Sequence, residues 1–485
     1  MNILNLADPR LFGNDAGEEE EPDVLASYFV DQPAFSAFLG ADHRLAFARA
    51  RKGMGKSALL SKLAHDLRST NPAAVVVQCS GSDLTGLADF SSEDPSVLIN
   101  QWHRAICAKI NLALASKIGF EWKDSKSALV DNAEMAGFNG SDLLRSLLNR
   151  ITGKKLPIRM SDSSAPLSQV VKEQKGQSIW LFVDDVDSTF EDTAFFRRKV
   201  STFFSASRKI VRDVKGLYIR GSVRTDVWSM IRSNEDLDKA EQYMTDIRWS
   251  RPEMETILAK RIYAYLKRLA LRPDLAESAI IEEPERLIEL AFEHLLNWGG
   301  NKVPAIQVVN ILCAKRPRWM AQLCRRAGVQ ASKRGGNRIN VNDIVRVMKQ
   351  FGEQRLADLY KEHGHQCAKL QSVIECFADG PARYYTAQML ERIGSNYLTR
   401  VPETEWPSID GKRVDGALPL GHFLFRIGFL QGQSPGAENS GREFVDYEER
   451  PDLLTTYTNL DDGLVWAVYP SYRNVLRIGP GTITS

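Results

Sequence analysis

The chain has 485 residues, too long for one hydrophobic core, and length alone suggests about three domains. Its 43% hydrophobic and 26% charged content is that of a soluble globular protein and excludes a fibrous or disordered chain. A formal net charge of +2 excludes a polybasic chain, so any cationic surface has to be local.

Six cysteines stand without C-x-x-C spacing, which predicts reduced, mostly buried thiols and no cysteine-ligated metal. The start, MNILNLADPRLFG, lacks a basic n-region and an apolar h-region, and no long uncharged apolar run follows. The expectation is a cytoplasmic protein with no membrane partner.

Residues 1–43 form an N-terminal segment, read as poorly ordered at its start and carrying the acidic run Glu18 to Glu21. From Val24 the segment is apolar at helical spacing around a Pro-marked break. Leu45 to Leu60, LAFARARKGMGKSALL, reads as an apolar strand, a basic glycine turn and a helix start. That order suits a triphosphate-binding loop. Gly53 and Gly55 let the backbone wrap close to phosphate oxygens, amides at the helix start point at the anion, Lys56 reaches the β- and γ-phosphates, and Ser57 offers a hydroxyl to magnesium. The candidate nucleotide cradle is therefore Arg51, Lys52, Gly53, Met54, Gly55, Lys56, Ser57 and Ala58. Ala50 stands where the usual pattern has its first glycine.

A helix over Ser57 to Leu67, a strand over Ala73 to Cys79 and a helix over Pro95 to Lys117 follow. Residues 83–177 are longer than a minimal α/β core needs and read as an insertion. Ser178 to Asp187, SIWLFVDDVD, is a buried strand that delivers carboxylates to the C-terminal edge of a parallel sheet. Asp184 is the candidate magnesium ligand, and Asp185 the group to polarise an attacking water. A helix over Ala194 to Lys215 has one apolar and one basic face. A strand over Gly216 to Val223 ends in Arg224, a cation near the γ-phosphate position or a strand cap paired with a nearby acid. Met244 to Trp249 reads as the last core strand.

From Arg251 the pattern turns wholly helical, with helices expected at Arg251 onward, Glu285 to Leu296, Val303 to Cys313, Pro317 to Ala327 and Val341 to Tyr360. This is a helical lid over residues 251–364, and Arg316 or Arg318 at a Pro-started helix is a candidate contact to nucleotide. Residues 365–485 read as a winged-helix-like α+β module with helices at Ala368 to Phe377, Ala387 to Ile393 and Leu418 to Ile427. Its β-like part spans Gly463 to Pro470 and Val475 to Ile478, with Gly432 to Gly436 as the wing. Arg392, Arg400 and Lys412 supply little charge for DNA there, which favours protein contacts.

The run of glycine loop, Asp-Asp strand end, V-R-T-D strand end, I-R-W before the lid and R-P-R within it resembles a bacterial P-loop ATPase family. Its members are related to the KAP, STAND and AAA+ types and often occur in defence or stress loci. The resemblance covers roughly Ser27 to Gly364. It implies an ATPase core over residues 44–250 with a parallel sheet in the order 5-1-4-3-2, a helical lid and a winged helix. It further implies ATP and Mg2+ as cofactors, Lys56 and Ser57 on phosphates and metal, Asp184 and Asp185 on metal and water, Arg224 as a γ-phosphate sensor, and Arg316 or Arg318 as a lid sensor. The expected activity is a regulatory ATP-hydrolysing switch with a protein partner or effector. The alternative is a DNA-binding loader resembling origin-recognition ATPases. DNA and a second copy of the chain stand as further candidate partners.

Overall fold

The computed structural model describes residues 4–117, 178–188, 193–232, 235–275, 277–400, 405–433, 444–454 and 463–479. Most of the expected insertion, from residue 118, and most of the expected wing lie outside the described residues. The chain divides into two compact units: Asn14–Glu253, and Met1–Gly13 together with Met254–Ser485.

The first unit is α/β. Strands β1 (Leu45–Ala50), β2 (Val75–Ser80), β3 (Ile179–Asp184), β4 (Leu217–Arg224) and β5 (Met244–Asp246) form one sheet in the order β2-β3-β4-β1-β5. Every pairing is parallel, and this is the order 5-1-4-3-2 that the resemblance implies. Parallel strands need crossovers and have both faces covered, so β1 and β3 are apolar almost throughout. Side chains alternate across the sheet. Leu45, Phe47, Leu181, Val183 and Ile219 join one core with helices α2 (Pro95–Lys117) and α3 (Ala194–Asp213). Phe47 packs edge-on against Phe203 and Phe204, with ring centroids 6.0 and 4.8 Å away. Trp102 of α2 donates its indole N–H to the Lys199 carbonyl of α3 at 2.8 Å.

On the alternate positions of β3 and β4 stand Trp180 and the fully buried Arg220. Arg220 donates to the carbonyls of Phe38 (2.7 Å), Gly40 (2.8 Å) and His43 (2.7 Å), while its guanidinium lies 4.8 Å from the Trp180 ring. It ties the segment before β1 to the sheet.

In the second unit, residues 4–13 are packed rather than poorly ordered as expected. Leu4, Leu6, Leu11 and Phe12 are buried. Arg261 and Arg325 hold the carbonyls of Phe12 and Gly13, both at 2.7 Å. A Cβ on Gly328 would meet the Leu6 carbonyl oxygen at 2.3 Å, so this approach requires glycine. The helices here are α5 (Arg251–Arg268), α6 (Ala305–Cys313), α7 (Pro317–Lys333) and α8 (Val341–His363), with α4 (Thr225–Ile231) belonging to the first unit.

One expectation fails in this region. Instead of a helix from Glu285 to Leu296, a short helix Pro284–Ile288 is followed by an antiparallel hairpin, Leu295–Trp298 with Asn301–Pro304. Gly299 and Gly300 have φ of 59° and 83°, the left-handed pair a two-residue hairpin turn demands. The turn overrides the helical spacing of the apolar residues before it.

The C-terminal part runs helix Leu370–Glu375, strand β6 (Arg383–Tyr385), helices α9 (Thr386–Arg400) and α10 (Ala417–Arg426), then strands β7 (Leu430–Gln433) and β8 (Val465–Val468). The three strands form an antiparallel sheet in the order β7-β8-β6, so this part is α+β. Two details differ. Gly432 belongs to β7 rather than to a wing, and the expected strand at Val475 to Ile478 is a turn after a short helix, Pro470–Arg473. All six cysteines are free and buried, as their spacing predicts. Among the described residues no helix is long and apolar enough to cross a membrane.

Candidate functional site

The site is assembled where β1, β3 and β4 end together. Ala50 of β1 pairs in register with Arg224 of β4, and Val183 of β3 with Gly221, which sets Asp184 beside Ser222. Because the strands are parallel, their terminal residues share one edge.

The loop after β1 turns through Gly53 and Gly55, whose φ values of 81° and 100° are left-handed. Gly55 is the N-cap of α1 (Lys56–Thr70), and its carbonyl takes the first helical bond from Leu59 at 2.9 Å. The loop's Met54 carbonyl accepts the Trp249 indole N–H at 2.8 Å, which anchors the turn to the stretch after β5. Lys56 is buried and donates from Nζ to the Ala50 carbonyl at 3.2 Å. Arg51, Lys52, Ser57 and Ala58 are half-buried along the same turn. Its first free amides and the positive end of α1 face one point, the arrangement that suits a phosphate.

Across the edge, Asp184 is held by Ser222, a residue that the sequence reading did not single out. The buried Ser222 hydroxyl donates to Asp184 Oδ1 at 2.5 Å and accepts from the Asp185 N–H at 2.8 Å. The Asp185 N–H also reaches Asp184 Oδ1 at 3.0 Å. Asp184 Oδ2 takes no hydrogen bond among the described residues. Ser222 lies mid-strand in an apolar run, where a small polar residue carries little signal on its own.

Asp185 sits in the left-handed region at φ 44°, a conformation that Asp tolerates better than most residues. Its side chain is solvent-accessible, yet desolvation at the crowded strand edge and then the charge of Asp184 push its carboxyl up to about 6, against the pull of Lys56.

Arg224 ends β4 and donates from Nε to Asp187 Oδ2 at 2.7 Å, with Asp226 3.7 Å from the same guanidinium. The Asp187 carboxylate is buried at 1% exposure and the Arg224 side chain is 22% exposed, so the pair fixes Arg224 at the edge while leaving part of it accessible. The reading of Arg224 as a strand-end cation paired with a nearby acid is the one these contacts match.

Arg316 and Arg318 belong to the other unit. Arg316 is buried, bonded to Glu362 Oε2 at 3.1 Å and stacked 4.3 Å from the Trp319 ring. Arg318 is half-buried beside it at the start of α7.

No protein-family model and no curated protein matches the chain. Among solved structures, it is similar to the ORC2 protein of Aeropyrum pernix in its ADPNP-ADP complexes, at 11% identity over 94% of this chain and 93% of that one, with a TM-score of 0.40. Cdc6p from Pyrobaculum aerophilum matches at 11% identity over 94% and 98% of the two chains, TM-score 0.36. Domain III of the Thermotoga maritima replication initiation protein DnaA matches at 14% identity over 68% and 98%, TM-score 0.34. At these scores the likeness is too distant to assign a family or an activity.

Proposed function

We propose that this chain binds ATP with magnesium and hydrolyses it as a regulatory switch. The observation that carries the reading is one sheet edge. The glycine turn with buried Lys56 follows β1 and the Ser222-braced Asp184–Asp185 pair ends β3, the two strands that flank β4. Lys56 and the turn amides would bind the β- and γ-phosphates. Ser57 and Asp184 would hold magnesium, whose bound form neutralises phosphate charge, and the unbonded Oδ2 of Asp184 suits that task. Asp185, its carboxyl raised toward neutral pH, would orient the attacking water and accept its proton. Arg224, held by Asp187, would face the transferring phosphoryl group. Of the two arginines expected to sense nucleotide, half-buried Arg318 keeps that proposed role, since Arg316 is buried in its pair with Glu362. Domain limits near residues 44–250, 251–364 and 365–485 belong to the same proposal, as do a protein effector, self-association and a stress or defence setting.

The test is phosphate release by wild type, Lys56→Ala and Asp185→Asn. The expected outcome is turnover by wild type and loss of about 100-fold or more in both variants. Equal release from wild type and Lys56→Ala would refute the reading. A second reading, a loader whose ATPase works on DNA, is favoured by the excess of Lys and Arg over acids between Lys315 and Gln350.

A further inference from the structure

Between Lys315 and Gln350 the sequence holds ten Lys or Arg residues and a single acid, Asp343. In a chain of net charge +2 this is a strong local excess. The structure shows which of these cations are spoken for. Arg316 pairs with buried Glu362, Lys315 with Glu449, and Arg325 holds the Gly13 carbonyl. Arg326 donates to Gln354, and Arg334 makes a two-pronged contact to Asp343 at 3.2 and 2.8 Å. The lone acid is therefore buried and neutralised inside the corner between α7 and α8.

Four cations remain exposed at this corner: Lys333, Arg338, Arg346 and Lys349, none of them in an ion pair among the described residues. The nearest acid on a neighbouring segment is exposed Glu293, whose charge acts on Arg334, and the first exposed acid along α8 itself is Glu353. The opposite face of this half of α8 carries buried Ile344, Val347, Met348 and Phe351, so the helix is rigidly seated with its outer face open.

Asn342, Arg346 and Lys349 stand at i, i+4 and i+7 on that outer face, one stripe about 10 Å long. Val345 beside them is 51% exposed. An amide, a guanidinium and a small apolar group along one helix face are the side chains that read base edges, and a helix fits the width of a major groove. Lys333 and Arg338 flank the stripe, where phosphates would lie. A lipid surface would need more exposed apolar area than one valine.

We propose that the first half of α8, with the corner that precedes it, is a docking surface for double-stranded DNA. The surface lies within one unit, so the proposal does not rest on the nucleotide site, although it would supply the partner of the second reading above.

The test is fluorescence anisotropy of the full chain with a mixed-sequence duplex at about 50 and about 200 mM salt, with and without Mg-ATP. Phosphate contacts by Lys333 and Arg338 predict an affinity loss of roughly 10-fold between those salts. Lys333→Ala with Arg338→Ala should flatten the salt slope by about 2, and Arg346→Ala with Lys349→Ala should weaken binding at least tenfold, each with an unchanged melting curve. Lys56→Ala should bind DNA as wild type does, which separates this outcome from failure of the ATPase reading. The proposal is overturned by no binding at low salt in either nucleotide condition. It is equally overturned if the α8 double variant binds like wild type while Lys412→Ala in the C-terminal module does not. Displacement of the duplex by polyglutamate or anionic vesicles at equal charge would assign the surface to another anion and likewise reject it.

Discussion

Asp185 combines two properties that pull in different directions. Its left-handed backbone and its raised carboxyl both cost stability, and both would suit the water-activating role proposed for it. Asn tolerates the same backbone and carries no charge. Asp185→Asn should therefore raise the melting temperature at pH 7.5 while abolishing turnover. The sign with pH follows from the direction of the shift. A folded value of about 6 lies above the ordinary carboxylate value, so the native state favours the protonated acid. The penalty of the charged form is absent well below that value and complete above pH 7. The gain of the Asn variant should shrink as pH falls through 6, and melting curves across pH 5 to 8 would check it. Ser222 supports the same pair from behind. Ser222→Ala would leave the Asp184 carboxylate less constrained and should raise the magnesium concentration for half-maximal turnover by about 10-fold or more. A change in turnover without a shift in the magnesium curve would argue against that role.

At the scale of elements, buried cations tie together distant segments through carbonyl and carboxylate partners. Arg220→Met should loosen residues 38–43 from the sheet, seen as accelerated amide exchange there with the rest of the first unit protected. Arg316→Ala leaves Glu362 buried without its guanidinium and should cost about 3–5 kcal/mol in denaturant unfolding. The core strands were legible in the sequence because a buried parallel strand is a short apolar run and its ends carried chemistry. The glycine turn and the Asp184–Asp185 end were readable for the same reason. The hairpin at Leu295–Pro304 was not, because its turn chemistry, two glycines, sits beyond an apolar stretch that also fits a helix. Ser222 was hidden by being small and mid-strand. The partners of Arg224 and Arg316 are set by tertiary register, which spacing along a chain does not encode.

For the whole molecule, two compact units predict two unfolding transitions. Mg-ATP at about 100 times its Kd should stabilise the transition of the Asn14–Glu253 unit by about 2.7 kcal/mol, and Lys56→Ala should remove that gain. Arg316→Ala should lower the other transition alone. A single transition that shifts as one in every variant would reject independent units.

The packing of residues 4–13 onto the helical unit has a further consequence for how the protein is made. Because Leu6, Phe12 and Gly13 belong with Gly328, Arg261 and Arg325, the α/β unit is an insertion between two parts of the other. During synthesis the α/β unit is complete once Glu253 has emerged, whereas residues 4–13 wait, apolar side chains unburied, until Arg325 and Gly328, about 75 residues further on, have been added. The helical unit thus closes last, around a segment that was made before the α/β unit.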